Sequence, residues 1–134
     1  MKNFFSTKVA GADFLALILR LASGVPMLLF HGWNKLAGFA EKAADFPDPL
    51  GIGNSASLGL TVFAEVLCAL CIALGFLSRL AAIPFTITMF IAAFVIHNGD
   101  PFKDRELALV YMLLGLGVII AGSGKYSLDK AIFK

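Results

Sequence analysis

Charge is scarce in this chain. Of its 134 residues only 15% are Asp, Glu, Lys or Arg while 59% are hydrophobic, against about 25% charged in ordinary soluble domains. In water such a composition would expose apolar patches larger than soluble monomers tolerate, so a soluble domain is excluded and an integral membrane protein is expected. Basic clusters are absent too. The formal charge of +2 is spread along the chain, which removes nucleic acid from the partners, because phosphate binding needs Lys and Arg gathered on one face. A small-residue cleavage site is also missing: Lys2 and Lys8 precede an apolar run that passes through Arg20, so the start reads as an uncleaved first span rather than a signal peptide. There is no internal repeat or low-complexity stretch. "GSGKYS" lacks the first glycine spacing and the hydroxyl after lysine of a phosphate-binding loop, and reads as a helix terminator.

What the chain does have is long apolar blocks. A helix needs about 17 to 25 residues to cross a bilayer, and four blocks meet or approach that length: Phe14 to Trp33, Leu58 to Phe76, Leu80 to Ile96, and Leu107 to Gly122. They are continuously apolar rather than alternating, which favours helices over a barrel. The expected fold class is therefore all-α, a four-helix transmembrane bundle forming a single domain over residues 1–134. The last two spans are short and need snorkelling flanks or a thinned bilayer. The brief "LSR" between spans two and three makes them antiparallel neighbours. Pro26 removes a helix hydrogen bond at the carbonyl of Ala22 and predicts a kink, while Gly115, Gly117 and Ala121 predict close packing of span four.

Two connections are polar. "FPDPLGIGNSAS", in the segment from Asn34 to Ser57, holds prolines and glycines that forbid a continuous helix and favour an ordered turn or re-entrant loop. "HNGDPFKDRE" is dense in polar groups and lies on the same face. With the N-terminus inside, Lys2, Lys8, Arg79, Lys125, Lys130 and Lys134 are cytoplasmic against Lys35, Lys42, Lys103 and Arg105 outside. That majority sets both termini in the cytoplasm and both polar loops outward.

Ionisable residues within a span are costly unless paired or hydrated, which marks Arg20 and Glu65 as candidates. At about 1.5 Å per residue, Glu65 lies roughly 10 Å below the outer end of span two and Arg20 roughly 9 Å above the inner end of span one. Long side chains or one water can bridge the difference. His31 and His97 reach the outer face from spans one and three, and Tyr111 lies about one turn inside span four, after Asn98, Asp100 and Glu106. His31, Lys35, Glu65, His97, Asp100 and Tyr111, with Arg20 as a further cation, thus form the expected binding constellation. Trp33 and Asn34 mark the headgroup boundary. Desolvation drives Glu65 neutral unless Lys35, Arg20 or a protonated histidine holds it ionised. Such a site can bind and protonate a carbonyl headgroup or relay protons; it can equally be a structural clamp that sets helix register. No third ligand with metal-like spacing accompanies the histidines, so no metal or haem is expected. Cys68 and Cys71 form "CALC" near mid-span, where low dielectric disfavours a thiolate, and read as packing residues, with redox activity as the alternative.

The stretches "RLASGVPMLLFHGWNKLAGF", "FPDPLGIG", "FAEVLCALCIALGFLSRLAAIP", "FVIHNGDPF", "ELALVYMLLG" and "GSGKYSLD", in this order over almost the whole chain, resemble the DoxX family of small bacterial membrane proteins. The resemblance implies a four-helix bundle in the bacterial inner membrane with the basic N-terminus inside. It puts Arg20, His31, Lys35, Glu65, Arg79, His97, Asp100 and Glu106 on motif positions without assigning their roles. It also implies a redox setting: the family's namesake is associated with thiosulfate:quinone oxidoreductase, other members with redox and oxidative-stress proteins, and distant relatives with amine-dehydrogenase maturation or assembly.

The leading functional reading is a membrane subunit of a redox system, thiosulfate:quinone oxidoreductase-like or oxidative-stress-linked, binding a quinone or lipid headgroup at the outer polar site. Quinone is the one cofactor this reading admits; the lipid bilayer, an oxidoreductase subunit and further copies of the chain are its partners. A non-catalytic scaffold or assembly factor is the alternative, and a small-solute or proton transporter the third. Whether the chain itself catalyses anything is left open.

Overall fold

The computed structural model describes residues 4–133. Every regular element among them is helical. Four helices are long: α1 (Ala12–Ala37), α3 (Asn54–Leu74) and α4 (Ser78–Ile96), and α5 (Phe102–Ala121). Two are short, α2 (Phe39–Lys42) and α6 (Leu128–Ile132). α1, α3 and α4 are long and apolar enough to cross a membrane. α5 is of similar length but opens with Lys103, Asp104, Arg105 and Glu106.

Helix boundaries depart from the apolar runs in a consistent way. α1 continues past Trp33 to Ala37, and α3, α4 and α5 begin before Leu58, Leu80 and Leu107. Backbone hydrogen bonding carries a helix into polar sequence, whereas hydropathy marks only the part that meets an apolar medium. α3 stops at Leu74 instead of reaching Phe76. Gly75 adopts φ 75°, its N–H bonds to the Ile72 carbonyl at 3.1 Å, and the Phe76 N–H bonds to Cys71 at 2.9 Å, the double closure that ends a helix on a left-handed glycine. The link to α4 is therefore Gly75 to Leu77 rather than "LSR".

α1 packs against α3 and α5, and α4 packs against the same two, so the long helices form a closed ring of antiparallel neighbours. The ring is apolar outside as well as in its core, with a few polar side chains buried inside. Along α1, Ala16, Arg20, Ser23 and Gly24 are buried, while Phe14, Ile18, Leu21, Val25 and Leu29 are exposed. Similar exposed rows run down the other long helices, an outer surface that only lipid can cover at low cost. α1 approaches α3 through glycines. A Cβ at Gly24 would stand 2.6 Å from the Ala69 carbonyl oxygen and one at Gly32 would stand 2.6 Å from the Glu65 carbonyl carbon, so no other residue permits this backbone contact. Gly115 and Gly117 do the same service for α5, facing Phe85 and Thr86 of α4 and Leu19 of α1 respectively.

Periodicity gave no sign of three widened turns, at Met27–Gly32, Phe63–Cys68 and Ala92–Ile96. Each adds one residue to a turn of α1, α3 or α4, the device of a π-bulge. The first follows Pro26 directly, so the expected break there takes the form of a wide turn in a continuing helix. All three lie toward the end of the bundle that carries Lys35 and His97.

Candidate functional site

The extension of α1 through Ala37 keeps Lys35 helical, one turn after His31, and the bare face of Gly32 lets α1 settle on the wide turn that carries Glu65. Lys35 Nζ then donates to Glu65 Oε2 at 2.6 Å. The Glu65 side chain is 6% exposed and that of Lys35 26%. A charge-assisted contact of this length compensates the carboxylate for lost hydration, which an unpaired buried charge could not tolerate.

Beside this pair a cavity of about 430 Å³ opens between α3 and α4. Lys35, Glu65 and His97 line it together with the hydroxyls of Ser57, Thr61 and Thr88; the remaining wall is apolar, and Phe46 and Leu50 of the loop before α3 cover it. His97 Nδ1 lies 3.0 Å from Asp100 Oδ2. This contact ties the ring orientation to Asp100 and leaves Nε2 as the second nitrogen. His31 is not part of the cavity wall. Its ring meets Tyr111 edge-on at 5.7 Å, and Tyr111 meets Phe85 at 6.3 Å, on the seam between α1 and α5. The expected ring of polar residues thus divides: Lys35, Glu65 and His97 share one cavity, Asp100 orients His97, and His31 and Tyr111 form an aromatic pair alongside.

Arg20 takes no part in it, which corrects its expected place as a cation for Glu65. Nearly fully buried, it donates from Nε to Ile72 O at 3.1 Å and from Nη2 to Ala73 O at 3.2 Å. Nη1 donates to Ser123 O at 2.6 Å and Tyr126 O at 3.0 Å. It caps the end of α3, adding a second donor to the Ile72 carbonyl that Gly75 N–H already reaches and supplying one to Ala73, and ties it to the segment after α5. Asp129 completes this opposite end, a role no expectation included. Its carboxylate accepts from Leu77 N–H at 2.7 Å, Ser78 N–H at 3.3 Å and the Ser123 hydroxyl, so it caps α4. Partial burial pushes its pKa up, but the Ser123 hydroxyl, the two N–H groups and the Arg20 charge outweigh that and hold it below its ordinary value. With the folded pKa depressed, the stabilisation is complete above the ordinary carboxylate pKa of about 3.9 and is lost as pH falls through the folded value. Thermal melting in detergent should show Asp129→Asn below wild type by a constant gap between pH 5 and 8, closing under stronger acid.

Asp48 is a second omission. Its side chain accepts from Ile52 N–H and Gly53 N–H, both at 2.9 Å, and from Ser57 Oγ at 2.8 Å. The "PDP" context followed by two glycines was a usable sign of such a turn. These bonds, the Ser57 hydroxyl foremost, lower its pKa. Cys68 and Cys71 are both free thiols, and Cys68 packs in the core with Met27 and Ile72. Among the described residues, no three His, Cys, Asp or Glu side chains converge as metal ligands.

An apolar exterior around an internal ion pair and a one-ended cavity defines a small helical membrane protein. The chain belongs to the DoxX family: the DoxX family model matches residues 15–98, a range that holds Arg20, His31, Lys35, Glu65 and His97. Two uncharacterised proteins of Haemophilus influenzae are similar to it. One is 30% identical over 107 residues, 76% of this chain and 71% of the relative; the other is 30% identical over 119 residues, 81% of this chain and 84% of the relative. No solved structure matches the chain significantly.

Proposed function

We propose that this protein is a membrane subunit of a redox system that holds the head of a quinone or a lipid in the cavity between α3 and α4. The observation that carries the reading is the Lys35–Glu65 pair opening onto a mostly apolar cavity that His97 also lines. A carbonyl-bearing head needs one or two donors in apolar surroundings; the ammonium and the imidazole supply them, and Glu65 with His97 supplies acid–base capacity at the same place.

In this reading all four long helices cross the bacterial inner membrane, α5 with its charged first turns among the headgroups. Lys8, Arg79, Lys125 and Lys130 belong to the end where α1 begins and α5 finishes, which supports a cytoplasmic position for that end. Lys2 and Lys134, which counted toward the same orientation, lie outside the described residues. The cavity then faces the outer leaflet.

The test is extraction and chromatography of whatever lipid-soluble carbonyl compound copurifies with protein taken from membranes. Glu65→Gln should reduce the retained quinone per protein about tenfold, the worth of one hydrogen bond to a charged group, with helical circular dichroism unchanged. Retention equal to wild type would remove Glu65 from the site, and wild-type protein free of quinone would end the quinone reading.

A further inference from the structure

We propose that the cavity is loaded sideways, from the outer leaflet through the seam between α3 and α4, and that the loop before α3, pinned by Asp48, is a lid that closes it to water. The ligand class follows: an amphiphile with a hydrogen-bond-accepting head and a linear apolar tail that remains in lipid. This rests on the ligand-binding reading above.

The seam is visible in residues that do two things at once. Leu60 and Phe63 of α3 and Ile87 of α4 line the cavity, yet they are 53%, 45% and 53% exposed on the apolar exterior of the bundle. A wall residue that is also a lipid-facing residue marks a place where the cavity breaks through that exterior. Pro84 lines the same side and, lacking an N–H, leaves the Leu80 carbonyl without its helical donor, so α4 is least constrained there. No charged side chain of the lining lies on the seam; those of Lys35 and Glu65 sit where α1 meets α3. A head directed to the ion pair and a tail directed out of the seam matches that division.

The aqueous side is covered differently. Phe46, Pro47, Pro49 and Leu50 line the cavity from the loop, an apolar cover placed over a charged pair. Its fastening is polar and reaches the cavity only at Ser57: Asp48 gathers Ile52 N–H, Gly53 N–H and Ser57 Oγ, and Asn54 Nδ2 donates to Ala44 O at 2.9 Å. Gly51 and Gly53, at φ 69° and 106°, make the reversal that returns the chain to α3. Two of these bonds, from Ser57 and Asn54, hold an apolar flap against the first turn of α3, and the other two close the loop on itself. A water-soluble solute would have to lift it, whereas an amphiphile in the leaflet would not.

The experiment uses the full chain in phosphatidylcholine–phosphatidylglycerol vesicles, with decylubiquinone, its tail-less parent ring, or no quinone, and quantifies bound quinone and lipid after rapid isolation. Wild type should carry at least about tenfold more of the tailed probe at equal total concentration, since the bilayer concentrates it at the seam. Ile87→Trp, which fills the seam, should slow loading of the tailed probe about tenfold and that of the tail-less one by much less, and Ile87→Ala should speed loading of the tailed probe. Asp48→Asn should raise exchange of the tail-less probe. Phospholipid held in quinone-free vesicles and released more slowly by Ile87→Trp would support the same route with lipid as the source. Equal occupancy by both probes, with no effect of either Ile87 variant, would overturn lateral loading and leave the binding site standing. Absence of any bound quinone or lipid would overturn the site reading, and lateral loading with it.

Discussion

Arg20→Met should destabilise the protein by about 3 kcal/mol or more, the range for stripping a buried charged group from its hydrogen-bond partners. The guanidinium gives four bonds to carbonyl oxygens on two separate segments, Ile72 and Ala73 at the end of α3 and Ser123 and Tyr126 after α5. A methionine has similar length and no donor, so Ala73, Ser123 and Tyr126 lose the Arg20 donor and Ile72 is left with Gly75 N–H alone. Arg20→Lys should recover only part, because a single ammonium cannot spread over acceptors that a planar fork reaches from several nitrogens. Denaturant unfolding in mixed micelles measures both. An Arg20→Met protein within about 1 kcal/mol of wild type would show that the clamp is ornamental, since surface substitutions alone reach about half that.

The Lys35–Glu65 pair should behave asymmetrically. Lys35→Met leaves a carboxylate that is 6% exposed with no cation, and should cost about 3 kcal/mol. Glu65→Gln leaves a lysine that is 26% exposed and can extend toward the headgroups, so it should cost nearer 1 kcal/mol. Combining Lys35→Met with Glu65→Gln removes the orphaned charge, and the double variant should be more stable than Lys35→Met alone, with a coupling of about 2 kcal/mol. Strict additivity in the unfolding cycle would mean that the two groups do not act on one another in the folded protein.

The placement of Glu65 inside a helix near one end was legible from hydropathy and the rise per residue, and so was the sharing of an end by Lys35, His97 and Asp100, because alternate helices run in opposite directions. The choice of partner was not. Lys35 and Arg20 were equally plausible cations on depth alone, and what separates them is the rotation of α1 about its axis, which turns Arg20 onto the end of α3 and brings Lys35 over Glu65. That rotation follows from the glycine contacts at Gly24 and Gly32, whose meaning depends on which helix lies opposite. His31 shows the same limit: it lies one turn from Lys35, yet its ring rests on Tyr111 rather than in the cavity.

The C-terminal segment was the least legible part. α6 is five residues long and has no period to detect, and Asp129 takes its capping role from backbone donors of Leu77 and Ser78, about fifty residues away in sequence. The wide turns of α1, α3 and α4 were equally hidden, because one added residue barely disturbs an apolar pattern.

Composition and the lengths of the apolar runs by themselves determined a helical membrane protein, the order and sense of its long helices, and which polar side chains share an end, since all of these depend only on the cost of exposing apolar surface to water or backbone groups to lipid. Only the tertiary structure decided that Lys35 rather than Arg20 neutralises Glu65 and that a cavity opens between α3 and α4. Both depend on how far each helix is turned and how closely its backbone can approach its neighbour, and those are properties of pairs of helices that no single run of residues contains.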